Sequence, residues 1–166
     1  SIEFVEIPAS VETILDNPFC RCDSLEEIRV AEGNPNYCSV DGILYTRDMK
    51  TLMQCPGAKT GYVTIPDSVT KIGYCAFGMC ISLKKVSLSD SVTSIGDWAF
   101  SNCKAIESII IPDSVVSIGD FAFQTCLAMT DVYYAGTEEE WKAIVIGDNN
   151  TYLTDATKHF EYISEV

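Results

Sequence analysis

Apolar positions along this chain come in short blocks separated by polar turns, rather than in the long stripe of an amphipathic helix. Val86-Ser87-Leu88 and Ile109-Ile110-Ile111 are β-favouring runs. The two-residue period turns Val86 and Leu88 inward and Ser87 outward. Pro112 follows the second run and removes a ladder donor, so the strand is expected to end there. Pro-Asp-Ser next supplies turn chemistry. An Ile-Gly pair and then an Ala-Phe pair complete the block, with Gly suited to unusual backbone angles or to close approach between neighbouring chains.

The blocks repeat. Ile65-Pro66-Asp67-Ser68-Val69, continuing to Phe77 and Cys80, returns as Leu88-Ser89-Asp90-Ser91-Val92 to Phe100 and Cys103. It returns again as Ile111-Pro112-Asp113-Ser114-Val115 to Phe123 and Cys126, each time at an offset of 23 residues. Ile72-Gly73, Ile95-Gly96 and Ile118-Gly119 hold the same second slot. A degenerate copy runs through Ile7, Pro8, Val11, Ile14, Phe19, Cys22, Leu25 and Ile28. Such self-similarity is the signature of a solenoid, because one coil cannot bury its apolar side alone and stacked coils share an elongated core. The expected units cover about 5–28, 29–62, 63–85, 86–108 and 109–131 of a single domain over 1–166, closed by a C-terminal cap over 132–166. Phe100→Ala would remove one ring of a stacked column at a cost of about 3–5 kcal/mol.

Two regions break the period. From Val30, 35 residues pass before Ile65 resumes it. In that unit Asp41-Gly42 precedes Ile43-Leu44-Tyr45-Thr46, and Thr51-Leu52-Met53-Gln54 follows a polar turn, which predicts a β-hairpin carried on one coil edge. At the far end, Thr137-Glu138-Glu139-Glu140 reads as a capping box with its acids at the favourable helix end. That helix would run through Trp141 and Ile144, with Leu153, Ala156, Phe160 and Tyr162 completing the closure.

The IPDSVxxIGxxAFxxC string resembles the BspA-like, or treponemal-type, leucine-rich repeats. VYYAGTEEEWKAI is similar to the unit that often closes such arrays, and VDGILYT with TLMQCP to a variant unit. Ala9 in place of the Asp, Ser89 in place of a Pro, and Asp16-Asn17-Pro18 depart from the pattern. The resemblance implies an α/β repeat fold: a right-handed solenoid with coils of about 23 residues, the hairpin-bearing unit and a C-terminal helical cap. It further implies a bacterial protein, exported to the cell surface or secreted, of a kind associated with adhesion to host matrix proteins and with coaggregation.

Composition narrows the partners. Eleven Lys and Arg against 24 Asp and Glu set a net charge of −13, the wrong sign for tracking phosphates or docking on anionic lipid. No run approaches 18 apolar residues, so no segment is expected to enter a membrane. Ser1-Ile2-Glu3 does not open a signal segment, and the chain is expected to be a fragment. His159 is the single histidine, read as a surface or cap residue. Neither a nucleophile elbow nor a phosphate loop occurs, so no enzyme activity and no cofactor are expected. The 8 Cys contain no C-x2-C knuckle for zinc. Cys22, Cys80, Cys103 and Cys126 share one repeat slot, where stacked parallel side chains suit buried free thiols better than disulfides.

The remaining candidate is surface. Strand alignment predicts two outward columns, Phe4, Glu27, Tyr62, Lys85, Ser108, Asp131 and Glu6, Arg29, Thr64, Ser87, Ile110, Tyr133. Arg29, Tyr62, Lys85, Ile110 and Tyr133 put aromatic, aliphatic and cationic groups on what the fold would make a concave sheet, the composition of an interface. The expected function is non-enzymatic protein binding, adhesin-like, with a host matrix or bacterial surface protein as partner. A structural spacer without its own ligand is the alternative.

Overall fold

A computed structural model describes residues 2–15 and 18–163. Asp16 and Asn17, part of the blurred first unit, lie outside the described residues.

The long edge of the coils is a ladder of short parallel strands. Here β1 (Phe4–Ile7) pairs with β2 (Glu27–Val30) as a two-stranded sheet. Farther along, β6 (Gly61–Thr64), β8 (Leu83–Ser87), β10 (Ser108–Ile111) and β12 (Asp131–Tyr134) form a second, parallel sheet. It is completed by β14 (Thr157–His159), which pairs with β12. As the alternation requires, Val63, Val86, Ile109 and Val132 are buried while Tyr62, Ser87 and Ile110 face outward. The Pro-Asp-Ser turns close through the backbone, with Val69, Val92 and Val115 donating to the carbonyls of Pro66, Ser89 and Pro112 at 3.0–3.2 Å.

The Ile-Gly slot carries more structure than the pattern suggested. Here β7 (Lys71–Ile72), β9 (Ser94–Ile95), β11 (Ser117–Ile118) and β13 (Val145–Ile146) form a second ladder along the stack. The Gly after each Ile serves close approach. A Cβ on Gly73 would sit 2.8 Å from the Leu52 carbonyl oxygen, and one on Gly96 2.9 Å from the Gly73 backbone. Positive φ falls two residues later instead, on Cys75, Trp98 and Phe121.

The second ladder continues into the long unit as β5 (Thr51–Gln54), β4 (Ile43–Thr46) and β3 (Tyr37–Val40), in that order. The expected hairpin is β4 with β5, antiparallel. A further antiparallel strand, β3, pairs with β4 across the two-residue turn Asp41-Gly42, where both residues have positive φ. Asp-Gly is the dipeptide such a tight turn demands, so the insertion is a three-stranded meander.

Between the ladders runs the core. Phe77, Phe100 and Phe123 are fully buried and stack face to face, with centroids 4.9 and 5.1 Å apart and planes within 5° and 11°. Cys80, Cys103 and Cys126 are buried free thiols. Each donates to a carbonyl of the preceding coil: Cys80 to Pro56 at 3.5 Å, Cys103 to Phe77 at 3.0 Å, Cys126 to Phe100 at 3.2 Å. Desolvation pushes the Cys126 thiol up to about 12, and holds Cys103 well above its ordinary range. Cys22 departs from the expectation: it is only half-buried, against a separate small core of Ile7, Leu25, Ile28, Tyr37 and Leu44.

The C-terminal closure is less helical than expected. It comprises α1 (Glu138–Ala143) and α2 (Thr151–Asp155), both short. The capping box of α1 is present: Glu140 N–H donates to Thr137 Oγ1 at 3.2 Å and Thr137 N–H to Glu140 Oε2 at 2.8 Å. Trp141 meets Tyr134 edge-on at 5.3 Å, and Leu153 and Ala156 are buried over the last coil. Asn150 stands in for the coil that does not follow. It is 4% exposed, accepts from Phe123 N–H at 3.0 Å, and donates to the Gly119 and Gly147 carbonyls at 2.9 Å. The Asn149-Asn150-Thr151 segment therefore saturates backbone polar groups that would otherwise be orphaned.

Candidate functional site

The outward face of the five-stranded sheet gathers four of the five residues singled out by sequence. Tyr62 and Lys85 are direct cross-strand neighbours, as are Ile110 and Tyr133, with Ser87 pairing to Ile110 between them. Tyr62 is 74% exposed, whereas Lys85, Ile110 and Tyr133 are half-buried. Backbone ladders hold β8, β10 and β12 on both sides and the edge strand β6 on one, so the face is presented with little conformational freedom to lose on binding.

Arg29 is not part of this group. It lies on the separate β1–β2 sheet, where its guanidinium meets Glu27 at 2.7 Å and sits over the Phe4 ring at 4.3 Å. The hydrogen bond with Arg29 lowers the Glu27 carboxyl from its ordinary range.

Sequence reasoning missed two members. His159 pairs in register with Tyr133 and its ring stacks on it, with centroids 4.5 Å apart and planes within 14°. Tyr162, expected inside the closure, instead tilts against Tyr133 at 4.8 Å on the sheet face. The imidazole Nε2 is 2.7 Å from Asp131 Oδ1. Hydrogen bonds from His159 and then from Thr130 hold the Asp131 carboxyl below its usual range. The missed signal is Thr157-Lys158-His159, set 26 rather than 23 residues after Asp131-Val132-Tyr133, so a search at the repeat period passes over it. Lys158 occupies the inward position of that strand. Its ammonium donates to the carbonyls of Leu153 at 2.9 Å, Ala156 at 2.6 Å and Thr154, cation against the C-terminal end of α2.

Elsewhere, a groove of about 230 Å³ where the first unit meets the meander is lined by Ile14, Phe19, Leu44, Met53, Gln54 and Tyr74. The buried Gln54 Oε1 has no hydrogen-bond partner among the described residues. No group of three or more His, Cys, Asp or Glu is drawn together to hold a metal ion among them, nor is any helix long and apolar enough to cross a membrane.

Known structures share this architecture. A leucine-rich repeat protein from Eubacterium ventriosum is 36% identical, with a TM-score of 0.75 over 80% of this chain and 36% of that one. The pneumococcal vaccine antigen PcpA is 20% identical with a TM-score of 0.73, covering 98% of this chain and 46% of its own, a likeness of fold. A leucine rich cell surface protein from Faecalibacterium prausnitzii is 25% identical with a TM-score of 0.50, over 86% and 50%. The chain thus spans half or less of each of these proteins. No curated protein matches it significantly. The family model for the BspA type leucine rich repeat region matches in 6 copies over residues 1–39 and 50–163, leaving out the central strand β4 of the meander and its flanking turns. With the template strings, the stacked Phe and Cys columns and these repeat copies in agreement, the chain belongs to the BspA-type leucine-rich repeat family.

Proposed function

We propose that this chain is a protein-binding segment of a bacterial surface or secreted protein, adhesin-like and non-enzymatic, and that it engages its partner through the outward face of the five-stranded sheet. The observation that carries this reading is the grouping of Tyr62 with Lys85 and of Ile110 with Tyr133, His159 and Tyr162 on one rigid ladder. A sheet edge of this kind needs only small polar residues to face water, whereas aromatic anchors with a cation beside them are what interfaces use. Arg29 belongs to a different surface and is left out of the proposed contact. The surface location is supported by the relatives, one described as a cell surface protein and another as a vaccine antigen.

Immobilised host matrix proteins and bacterial surface proteins, probed with the wild-type chain and with Tyr62→Ala plus Ile110→Asp, test this directly. Truncating hot spots weakens binding by roughly tenfold or more, with the thermal midpoint checked so that unfolding is not mistaken for lost contact. Equal binding by the double variant would sink the face and favour the spacer alternative.

A further inference from the structure

Cys20 and Cys75, 55 positions apart, bring their sulfurs to 2.7 Å. Even non-bonded carbon atoms, smaller than sulfur, rest at roughly 3.5–4.0 Å, and a disulfide measures about 2.05 Å, so this pair lies nearer to bonding than to ordinary contact. The cysteine columns of the core behave differently, since their thiols donate to backbone carbonyls.

The architecture explains the meeting. Cys75 occupies the slot that holds Trp98 and Phe121 in the following coils, and those two rings stack at 4.3 Å. At the near end of that column the slot holds a thiol in place of a ring. The meander unit crosses this side of the coil in a short stretch, Cys55 N–H donating to the Ala76 carbonyl and Ala58 N–H to that of Leu25. The first unit is thereby brought against the third, and Cys20 arrives beside Cys75. Room for the sulfur is written into the third unit alone. A Cβ at Gly78 would overlap Cys75 Sγ, and the positions 23 and 46 residues on are Ser101 and Gln124.

We propose that Cys20 and Cys75 form a disulfide that staples the first unit to the regular stack. Its chemistry is thiol–disulfide exchange with a low-molecular-weight or protein disulfide as oxidant. Cys20, half-buried, loses its proton and attacks the oxidant, releasing one thiolate and forming a mixed disulfide. Cys75 then loses its proton and displaces the second thiolate. Two S–H bonds are broken, the S–S bond of the oxidant is exchanged for one in the protein, and two electrons reduce the oxidant to two thiols. Burial, and then the Cys20 thiol beside it, push Cys75 up to about 12, so its attack is the slower step and closure is faster as pH rises. The bond would join two otherwise separate cores: Phe19 packs on the small one, while Ala76 and Phe77 belong to the large one. An oxidising compartment would keep it formed.

The test uses the whole chain incubated with oxidised glutathione at pH 8, then denatured, alkylated without reductant, digested and analysed by mass spectrometry. The expected product is one cross-linked peptide pair carrying Cys20 and Cys75, with the other cysteines alkylated. Reductant should then lower the thermal midpoint of the oxidised wild type by roughly 5–15 °C and leave that of Cys20→Ser unchanged. Alkylation of both cysteines after oxidation, a cross-link between two chains at Cys20, or an equal midpoint loss in Cys20→Ser overturns the proposal. Cys20→Ala serves as the second variant should the serine perturb folding.

Discussion

The coils between Gly61 and Tyr134 and the unit between Ile2 and Val30 are built from the same template, yet they pack very differently. In the regular coils the 23-residue offset is strict, so each Ile, Phe and Cys lies directly over its counterpart, and Phe77, Phe100 and Phe123 reach zero exposure. In the first unit Phe19 holds the same slot but is only half-buried, Leu15 is 72% exposed, and the strands form a sheet of two with a core of its own. The residue types barely differ; what differs is the neighbour. A repeat protein is stabilised by nearest-neighbour interfaces, and the first unit's neighbour is the meander, whose antiparallel strands cannot continue a parallel ladder of Phe rings. Loss of period in one unit therefore weakens the unit next to it.

Substitutions in the two regions should separate accordingly. The largest effect is expected from Phe100→Ala, about 3–5 kcal/mol in urea unfolding, because a ring is removed from between two others. Phe19→Ala should cost distinctly less, and equal losses would mean that the two cores unfold as one. Asn150→Ala should follow, at about 1–3 kcal/mol, since it strips buried partners from Phe123 N–H and two glycine carbonyls. Its effect should appear as early loss of amide protection in the last coil, whereas protection lost first in the first unit would contradict a polar closure acting locally.

The smallest effect concerns acid. Asp131 is held below its usual carboxyl range in the folded chain, first by His159 and then by Thr130. A depressed folded value means that the contribution is complete above the unfolded value near 3.8 and disappears as pH falls through the folded one. Wild type should thus lose stability below about pH 4 more steeply than Asp131→Asn, with only a slight difference because both partners are partly exposed. Superimposable acid profiles would show that this contact orients His159 and Tyr133 without stabilising the fold.

Much of this was legible in the chain. Periodic residues announced the solenoid, the buried Phe and Cys columns and the outward lanes, since each depends on local geometry repeated by translation, while the capping box at Thr137 was legible from its own four residues. Tyr62, Lys85, Ile110 and Tyr133 were found that way. Arg29 was grouped with them by alignment, but the period alone does not say which sheet a strand joins, and the meander separates β2 from β6. The second ladder at Ile72, Ile95 and Ile118 escaped because two-residue strands leave no alternation to read. Asp41-Gly42 marks the start of the expected hairpin in the sequence, but β3 before it carries too little alternation to be read as a strand.

What the sequence by itself determined is the set of contacts between residues 23 positions apart, because equal spacing brings equal slots together whatever the rest of the chain does. Only the tertiary structure decided the contacts at other spacings: Cys20 on Cys75, His159 on Tyr133, Asn150 under Phe123. These arise where the period is interrupted or runs out. There the partner is chosen by how an irregular segment folds back over the stack, and the spacing of the repeat carries no information about that path.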